Sequence, residues 1–489
     1  MNALIRFGDA TYKWLDERLG IGMVWKATAL HYVPKSVNWW YVFGSALLTV
    51  FTMQLVTGIF LAMTYVPSPD HAYSSLDYIS HHQFAGNLLR GLHYWGASAM
   101  VLLIFIHMTA NFLLGSYKYP RELQWLTGSV LLLLTLLMAF TGQLLRWNQD
   151  AYWAIVVGAE QAARTPIIGQ WVAELLTLGP TVSGKTLTFY YALHMLLLPG
   201  GIITFISIHL YLVIYKGISE WPVPGRPVDP KTYWAEYEEI LHKDGEPFFP
   251  VAIYKDAVMS LLVIVVIGAL AIHGATNLGI PANPATPANP APDWYLIWYF
   301  AVLALIGVDP NGPAITPWVI ILFPAIAFGI LFLFPLANKG ERHYARRPWA
   351  IATVVIAAGS TLVLIYIGYS EPWKPILVNA TTPPQLAAKS LRTTTGAPLP
   401  PLALAGGHLM SAEACTACHQ IDGVGGHRGP DLSRVGDQLS AGQMIWRIAR
   451  GGGGMPAYGN VLNPKQVNQL VAYLETRVTP GQASGSTGH

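Results

Sequence analysis

The sequence predicts an all-α integral membrane protein, and three observations carry that prediction. Of its 489 residues 53% are hydrophobic and only 11% charged, with a mean hydropathy of +0.40, more apolar than a soluble domain. Seven long uncharged stretches fall near 39–65, 91–115, 125–145, 187–215, 257–272, 318–337 and 349–369. Most of them reach the roughly 20 residues that cross a hydrocarbon core as helix. Lysine and arginine are sorted between alternate loops, sixteen on one side against two, Arg164 and Lys185, on the other. This bias predicts a cytoplasmic amino terminus and, after seven spans, a carboxyl terminus outside the cytoplasm.

Taken in order, the first 37 residues mix charged and apolar positions without a continuous hydrophobic core, so no cleavable signal is expected. The second span carries His93 and His107, 14 residues apart, and the fourth carries His194 and His209, 15 apart. Ionisable groups are costly in a bilayer and persist mainly where they bind something. At about 1.5 Å of rise per residue, each helix places its two imidazoles ~21 to 22 Å apart along its axis. Two such helices side by side predict a four-helix haem-binding bundle with two stacked haems, each clamped by one histidine from either helix. The second and fourth spans run in the same direction, so His93 pairs with His194 near the outer face and His107 with His209 near the inner face. A packed core histidine is the alternative for any one of the four taken alone.

Glycines on the neighbouring spans repeat the interval. Gly44 and Gly58 on the first span, and Gly128 and Gly142 on the third, are also 14 apart. A residue without a side chain lets a flat macrocycle approach the backbone; helix packing through small residues is the other reading. Arg90, one turn before His93, is placed either to neutralise a haem propionate or to anchor the helix at the interface.

Beyond the fifth span, the apolar stretch 294–308 is short and flanked by prolines, which predicts an interfacial helix. After two further spans, a Thr/Pro/Ala-rich stretch at 371–402 reads as an extended tether. Both cysteines of the chain lie in Cys415-Thr416-Ala417-Cys418-His419. This is the c-type haem attachment pattern, in which two thiols bond the haem and the histidine ligates iron. Zinc would need further ligands, and a simple disulfide would leave His419 to coincidence. For the second axial ligand Met455, beside the glycine run 451–454, is preferred over Met410 and Met444. Met444 reads as core of an apolar helix beginning near 440. The Gly/Ser-rich tail after Pro480 reads as disordered.

The motifs together resemble a known family. Arg90-Gly91-Leu92-His93-Tyr94-Trp95 and the run from Tyr119 to Gly128 are similar to the cytochrome b core of the cytochrome bc1/b6f quinol oxidoreductases. The 15-residue step from His194 to His209 resembles the b6 branch. Residues 236–370 resemble the three-span subunit IV of that branch. Residues 403–480, with Gly429-Pro430-Asp431-Leu432, resemble a class I cytochrome c. The resemblance implies a division into a b6-like bundle (1–235), a subunit IV-like region (236–370), the linker (371–402), a small all-α cytochrome c domain (403–480) and a tail (481–489).

It further implies quinol:cytochrome c oxidoreductase activity with two non-covalent haems b, one covalent haem c and quinol as substrate. The implied partners are a Rieske [2Fe–2S] protein, a cytochrome c-type acceptor or terminal oxidase, membrane lipid and a second copy of the chain in a homodimer. No nucleic-acid partner is expected. Pro292-Asp293-Trp294-Tyr295 stands where the family has Pro-Glu-Trp-Tyr, which makes Asp293 the implied quinol proton acceptor, with Tyr295 beside it. Capping of the helix that starts at Trp294 is the competing role for Asp293. Val42 stands where the b6f branch attaches an additional haem through cysteine, so covalent attachment there is excluded. Arg146 replaces the proline of the family's Leu-Pro-Trp, and Lys216 is the sole basic residue near the inner end of the fourth span. The rival function is a di-haem membrane anchor conducting electrons between a dehydrogenase and the quinone pool.

Overall fold

The computed structural model describes residues 2–163, 165–179, 181–283, 292–306, 315–370, 385–426, 429–451, 455, 458–459 and 461–480. Two amino-terminal helices, α1 (Asn2–Leu19) and α2 (Ile21–Thr28), precede a short strand β1 (Tyr32–Pro34) and the first long apolar helix, α3 (Phe43–Ala62). A short helix α4 (Ala72–His81) leads into α5 (Gly86–Leu114), which returns through α6 (Glu122–Leu144). The turn between them forms because Gly115, at φ +62°, ends α5 with its amide on the Phe112 carbonyl, and a side chain there would meet the Arg342 backbone at 3.0 Å.

Helices α7 (Gln149–Ala163) and α8 (Gly169–Thr177) cover the end of the bundle before the next crossing. That crossing is built from α9 (Gly184–Ala192), a π turn over Leu193–Leu197 and α10 (Leu198–Lys216). Pro199 has no amide proton and its ring crowds the carbonyl four residues back, so the chain widens locally instead of continuing as regular α-helix. Neighbouring contacts run α3 to α5, α5 to α6 and α6 to α10, giving the expected four-helix bundle.

The second part begins with α11 (Tyr233–Asp244) and β2 (Gly245–Pro247), which pairs antiparallel with β1. It continues through α12 (Ile253–Ile272), α13 (Trp294–Ile306), α14 (Ile315–Ala337) and α15 (Pro348–Ser370). Among the described residues six helices are long and apolar enough to cross a membrane, and α14, with 23 residues, falls on the remaining expected span. With 13 residues α13 is too short to span, and it packs on α15 with Ile297 and Ala301 fully buried. Buried cations join the two parts at one end. The Arg347 guanidinium donates to the Phe112 carbonyl and the Tyr117 hydroxyl, Arg342 pairs with Glu220 at 2.8 Å, and Lys118 donates to the carbonyls of Lys339 and Glu341.

The carboxyl-terminal domain packs α16 (Pro401–Ala412) and α17 (Ala441–Arg450) on α18 (Pro464–Glu475) around Met410, Ile421, Met444, Leu470 and Tyr473. Ser440 with Gln443 and Asn463 with Gln466 form capping boxes that start α17 and α18. Composition alone misjudges the stretch before α16. Residues 385–400 do not extend as a tether: Leu386 and Leu399 enter this core, and the Ser390 carbonyl accepts from the Tyr473 hydroxyl and from Arg477. The remainder of the expected tether, 371–384, lies outside the described residues, as does the tail 481–489. The domain rests on the loop after α3 and the start of α9. Arg450 faces Asp70 at 3.9 Å, and a side chain at Gly184 would meet the Arg450 carbonyl at 2.8 Å.

Candidate functional site

The four intramembrane histidines come together in the expected two pairs. The His93 and His194 ring centroids are 6.3 Å apart with their planes at 74°, a gap that suits two imidazoles clamping one metal through bonds of about 2 Å. His107 and His209 lie within electrostatic reach of one another. Both pairs are possible because the π turn at Leu193–Leu197 contains His194 and widens the helix on the way to His209. Fourteen residues of α-helix make just under four turns and keep His93 and His107 on one face. A π turn takes up one extra residue, so the 15-residue step from His194 to His209 restores the same facing.

Each glycine faces one imidazole. A Cβ at Gly58 would lie 3.2 Å from His93 Cε1, at Gly44 3.4 Å from His107, at Gly128 3.5 Å from His209 and at Gly142 2.7 Å from His194. The glycines therefore clear space beside the ligand rings themselves, a more specific role than general helix packing.

Threonines preceding three of these glycines fix the imidazole tautomers, a feature the sequence reading missed. Thr57 donates its hydroxyl proton to the Met53 carbonyl at 2.7 Å, so its oxygen accepts from His93 Nδ1 at 3.0 Å. Thr127 donates to Leu123 and accepts from His209 Nδ1 at 2.9 Å. Thr141 donates to Met138 and accepts from His194 Nδ1 at 3.1 Å, and the Met138 carbonyl lies 3.1 Å from the same nitrogen. With the proton held on Nδ1, the Nε2 lone pair is free to ligate a metal. The local signal was the repeated Thr-Gly dipeptide at 57–58, 127–128 and 141–142. Gly44 follows Phe43, and among the described residues the hydrogen-bonding group beside the His107 ring nitrogens is the Asn111 amide, at 3.4 to 3.5 Å.

Arg90 is held by protein groups. It donates to Ser80 Oγ at 3.0 Å and to the Thr276 carbonyl at 2.9 Å, tying α5 to α4 and to the loop after α12.

The corner around Asp293 gathers charge from distant parts of the chain. Asp293 occupies the position before α13, but its carboxylate accepts from the Tyr295 hydroxyl at 3.2 Å and faces Arg146 Nη2 at 3.8 Å, not the first-turn amides. Gln143 Oε1 accepts from the Asp293 amide at 3.4 Å, and among the described residues its buried Nε2 has no hydrogen-bond partner. Burial, followed by the charge of Asp293, raises the Tyr295 phenol above the ordinary tyrosine range.

In the carboxyl-terminal domain, Cys415 and Cys418 are unbridged and flank one 3₁₀ turn. Burial pushes the Cys415 thiol up to about 12. His419 Nδ1 donates to the Pro430 carbonyl at 2.9 Å, which again leaves Nε2 free. A Cβ at Gly429 would lie 2.6 Å from the His419 ring, so the Gly-Pro segment is shaped to this imidazole. Met410 and Met444 are buried in the core, whereas Met455 is partly buried against it. Gly452–Gly454 lie outside the described residues. Tyr458, buried beside Cys415, donates to the Glu413 carbonyl at 3.2 Å. Among the described residues no cluster of three or more His, Cys, Asp or Glu could hold a bare metal ion. Paired imidazoles with glycine clearances, and the thiol–imidazole triplet, fit haem.

Three family models match successive stretches of the chain. The family model "Cytochrome b/b6/petB" matches residues 28–217, "Cytochrome b(C-terminal)/b6/petD" matches 281–382, and "Cytochrome C oxidase, cbb3-type, subunit III" matches 401–474. Cytochrome b6 of Heliobacterium mobile is 42% identical over 209 residues, covering 42% of this chain and 98% of that protein. The cytochrome bc complex cytochrome b subunit of Chlorobaculum thiosulfatiphilum is 36% identical over 367 residues, covering 74% of this chain and 82% of that one. A solved hyperthermophilic respiratory Complex III is similar in structure, with a TM-score of 0.62 and 28% identity over 74% of this chain and 91% of that chain.

Proposed function

Since this chain belongs to the cytochrome b family of bc-type quinol:cytochrome c oxidoreductases and adds a cytochrome c-type domain at its carboxyl end, we propose that it is the fused b/c subunit of a proton-translocating complex. Quinol is oxidised at the outer face of a bacterial inner membrane, and quinone is reduced near the inner face. The observation that carries this reading is the two imidazole pairs, His93 with His194 and His107 with His209, with a glycine opposite every ring. His93 with His194 and His107 with His209 would hold two haems b, and Cys415, Cys418 and His419 one haem c; when bound, these groups would supply one-electron carriers across the membrane and a high-potential one at its outer side.

The chain's own residues do the rest. Thr57, Thr127 and Thr141 hold the imidazole protons on Nδ1. Asp293, oriented by Tyr295 and Arg146, accepts a quinol proton. His419, aimed by the Pro430 carbonyl, and Met455 are the residues that would hold the iron of a haem in the carboxyl-terminal domain. A Rieske [2Fe–2S] protein completes the high-potential branch, because both cysteines of this chain belong to one haem motif. A cytochrome c-type acceptor or terminal oxidase takes the electron onward, and the complex is a homodimer.

The test is quinol-driven reduction of the purified complex with its Rieske partner. Reduction of b and c haems together, with Asp293→Asn abolishing both, supports the reading. Reduction of the b haems alone, unaffected by Asp293→Asn, would indicate a simple electron-conducting anchor.

A further inference from the structure

The outer corner holds a second carboxylate that the reaction as described does not use. Asp150, near the start of α7, is half-buried, and it interacts electrostatically with both Arg146 and Asp293. Burial pushes its carboxyl above the ordinary range, Arg146 draws it back, and the Asp293 charge adds to the rise. Arg146 pairs with Asp293, its Nη2 at 3.8 Å from Asp293 Oδ1 and its Nε donating to the Gln143 carbonyl at 3.3 Å, and it is within electrostatic reach of Asp150. Both partners of the ion pair are largely shielded, at 17% exposure for Arg146 and 22% for Asp293. Here the cation is screened less than a surface one would be. The other titratable and charged groups facing this corner are Arg90 and Tyr94 on α5, Tyr295 on α13 and Tyr369 on α15.

We propose that Arg146 is a positioning residue shared between two carboxylates, pairing with Asp293 while that group is charged and with Asp150 once Asp293 has taken a quinol proton. This rests on the reading of Asp293 as the proton acceptor. In the first half-step a quinol O–H bond breaks, the proton passes to an Asp293 carboxylate oxygen, and one electron passes to a [2Fe–2S] oxidant of the Rieske class, leaving the quinol oxidised by one electron. Protonation cancels the Asp293 charge and releases the guanidinium to Asp150. Loss of the proton to the outer water restores the first pairing. Asp150 thus keeps Arg146 compensated in a partly buried site, where an unpaired charge is costly.

The two groups act on Asp293 with opposite sign, which makes the inference testable. A neighbouring cation favours the charged carboxylate and a neighbouring anion disfavours it. In the holo-complex, Arg146→Gln therefore moves the acid limb of quinol oxidation up by about one pH unit. Asp150→Asn moves it down by a few tenths of a unit, Arg146→Lys returns the Gln variant toward wild type, and the double variant falls between the two singles. The b-haem spectrum of each variant reports whether the bundle has folded. Limbs that stay put while kcat falls in every variant, or that move the same way in both singles, overturn the shared-cation inference. If Asp293→Asn oxidises quinol at the wild-type rate, the reading of Asp293 itself fails instead.

Discussion

The His93/His194 and His107/His209 pairs, outer and inner in the proposed orientation, use the same ligands at nearly the same interval, yet they are held differently. Both outer rings, His93 and His194, give their Nδ1 proton to a threonine on a neighbouring helix. Of the inner pair only His209 does so, and His107 lies beside an asparagine at 3.4 to 3.5 Å. The steric setting differs as well, because Gly142 clears His194 by far less than Gly128 clears His209. Equal ligand sets therefore give unequal sites: the outer one is fixed in tautomer and tightly fitted, the inner one looser at one ligand.

The largest effect breaks the comparison altogether. His194→Leu leaves one imidazole without its partner, and pyridine spectra are expected to show half the extractable haem b with quinol oxidation lost. Next comes the glycine contrast. A methyl at Gly142 would stand 2.7 Å from His194 Cε1, against 3.5 Å for Gly128 and His209. Gly142→Ala should therefore lose outer haem during assembly while Gly128→Ala retains a full complement, measured by haem content per polypeptide.

Smaller shifts sharpen it. Thr141→Val removes an Nδ1 acceptor and should weaken outer-haem retention by about tenfold, the usual scale for lost partners of ligating histidines. Asn111→Leu should change inner-haem retention by less than about twofold, since its contacts to the ring are long and its 2.8 Å bond goes to the His107 carbonyl. Smallest is Arg450→Gln. Its 3.9 Å pair with Asp70 leaves Arg450 about half exposed, so internal electron transfer to the c haem should change by less than about fivefold and more at low salt.

What the sequence made legible follows from locality. Histidine and glycine intervals are set by helix geometry within one segment, and the Cys-x-x-Cys-His motif is contiguous, so neither needs a tertiary fold to be read. The ring partners were harder because each joins two helices. Thr141 and His194 are 53 residues apart in the chain, yet the Thr-Gly repeats stood in plain view. Arg146 looked anomalous as a lone cation because its partner, Asp293, arrives from a loop beyond the fifth span. Composition misled at 385–400, where proline and threonine suggested a tether while Leu386 and Leu399 supplied enough apolar surface to fold back. Pro199 and the 15-residue step were both visible, but their link through a π turn required the backbone.

The most direct test of the account is haem stoichiometry on the purified chain, combining alkaline pyridine spectra with a denaturing gel stained for covalent haem. Two extractable haems b for each covalent haem c on one polypeptide is the predicted result. A single haem b per chain, or a band without covalent haem, would contradict it.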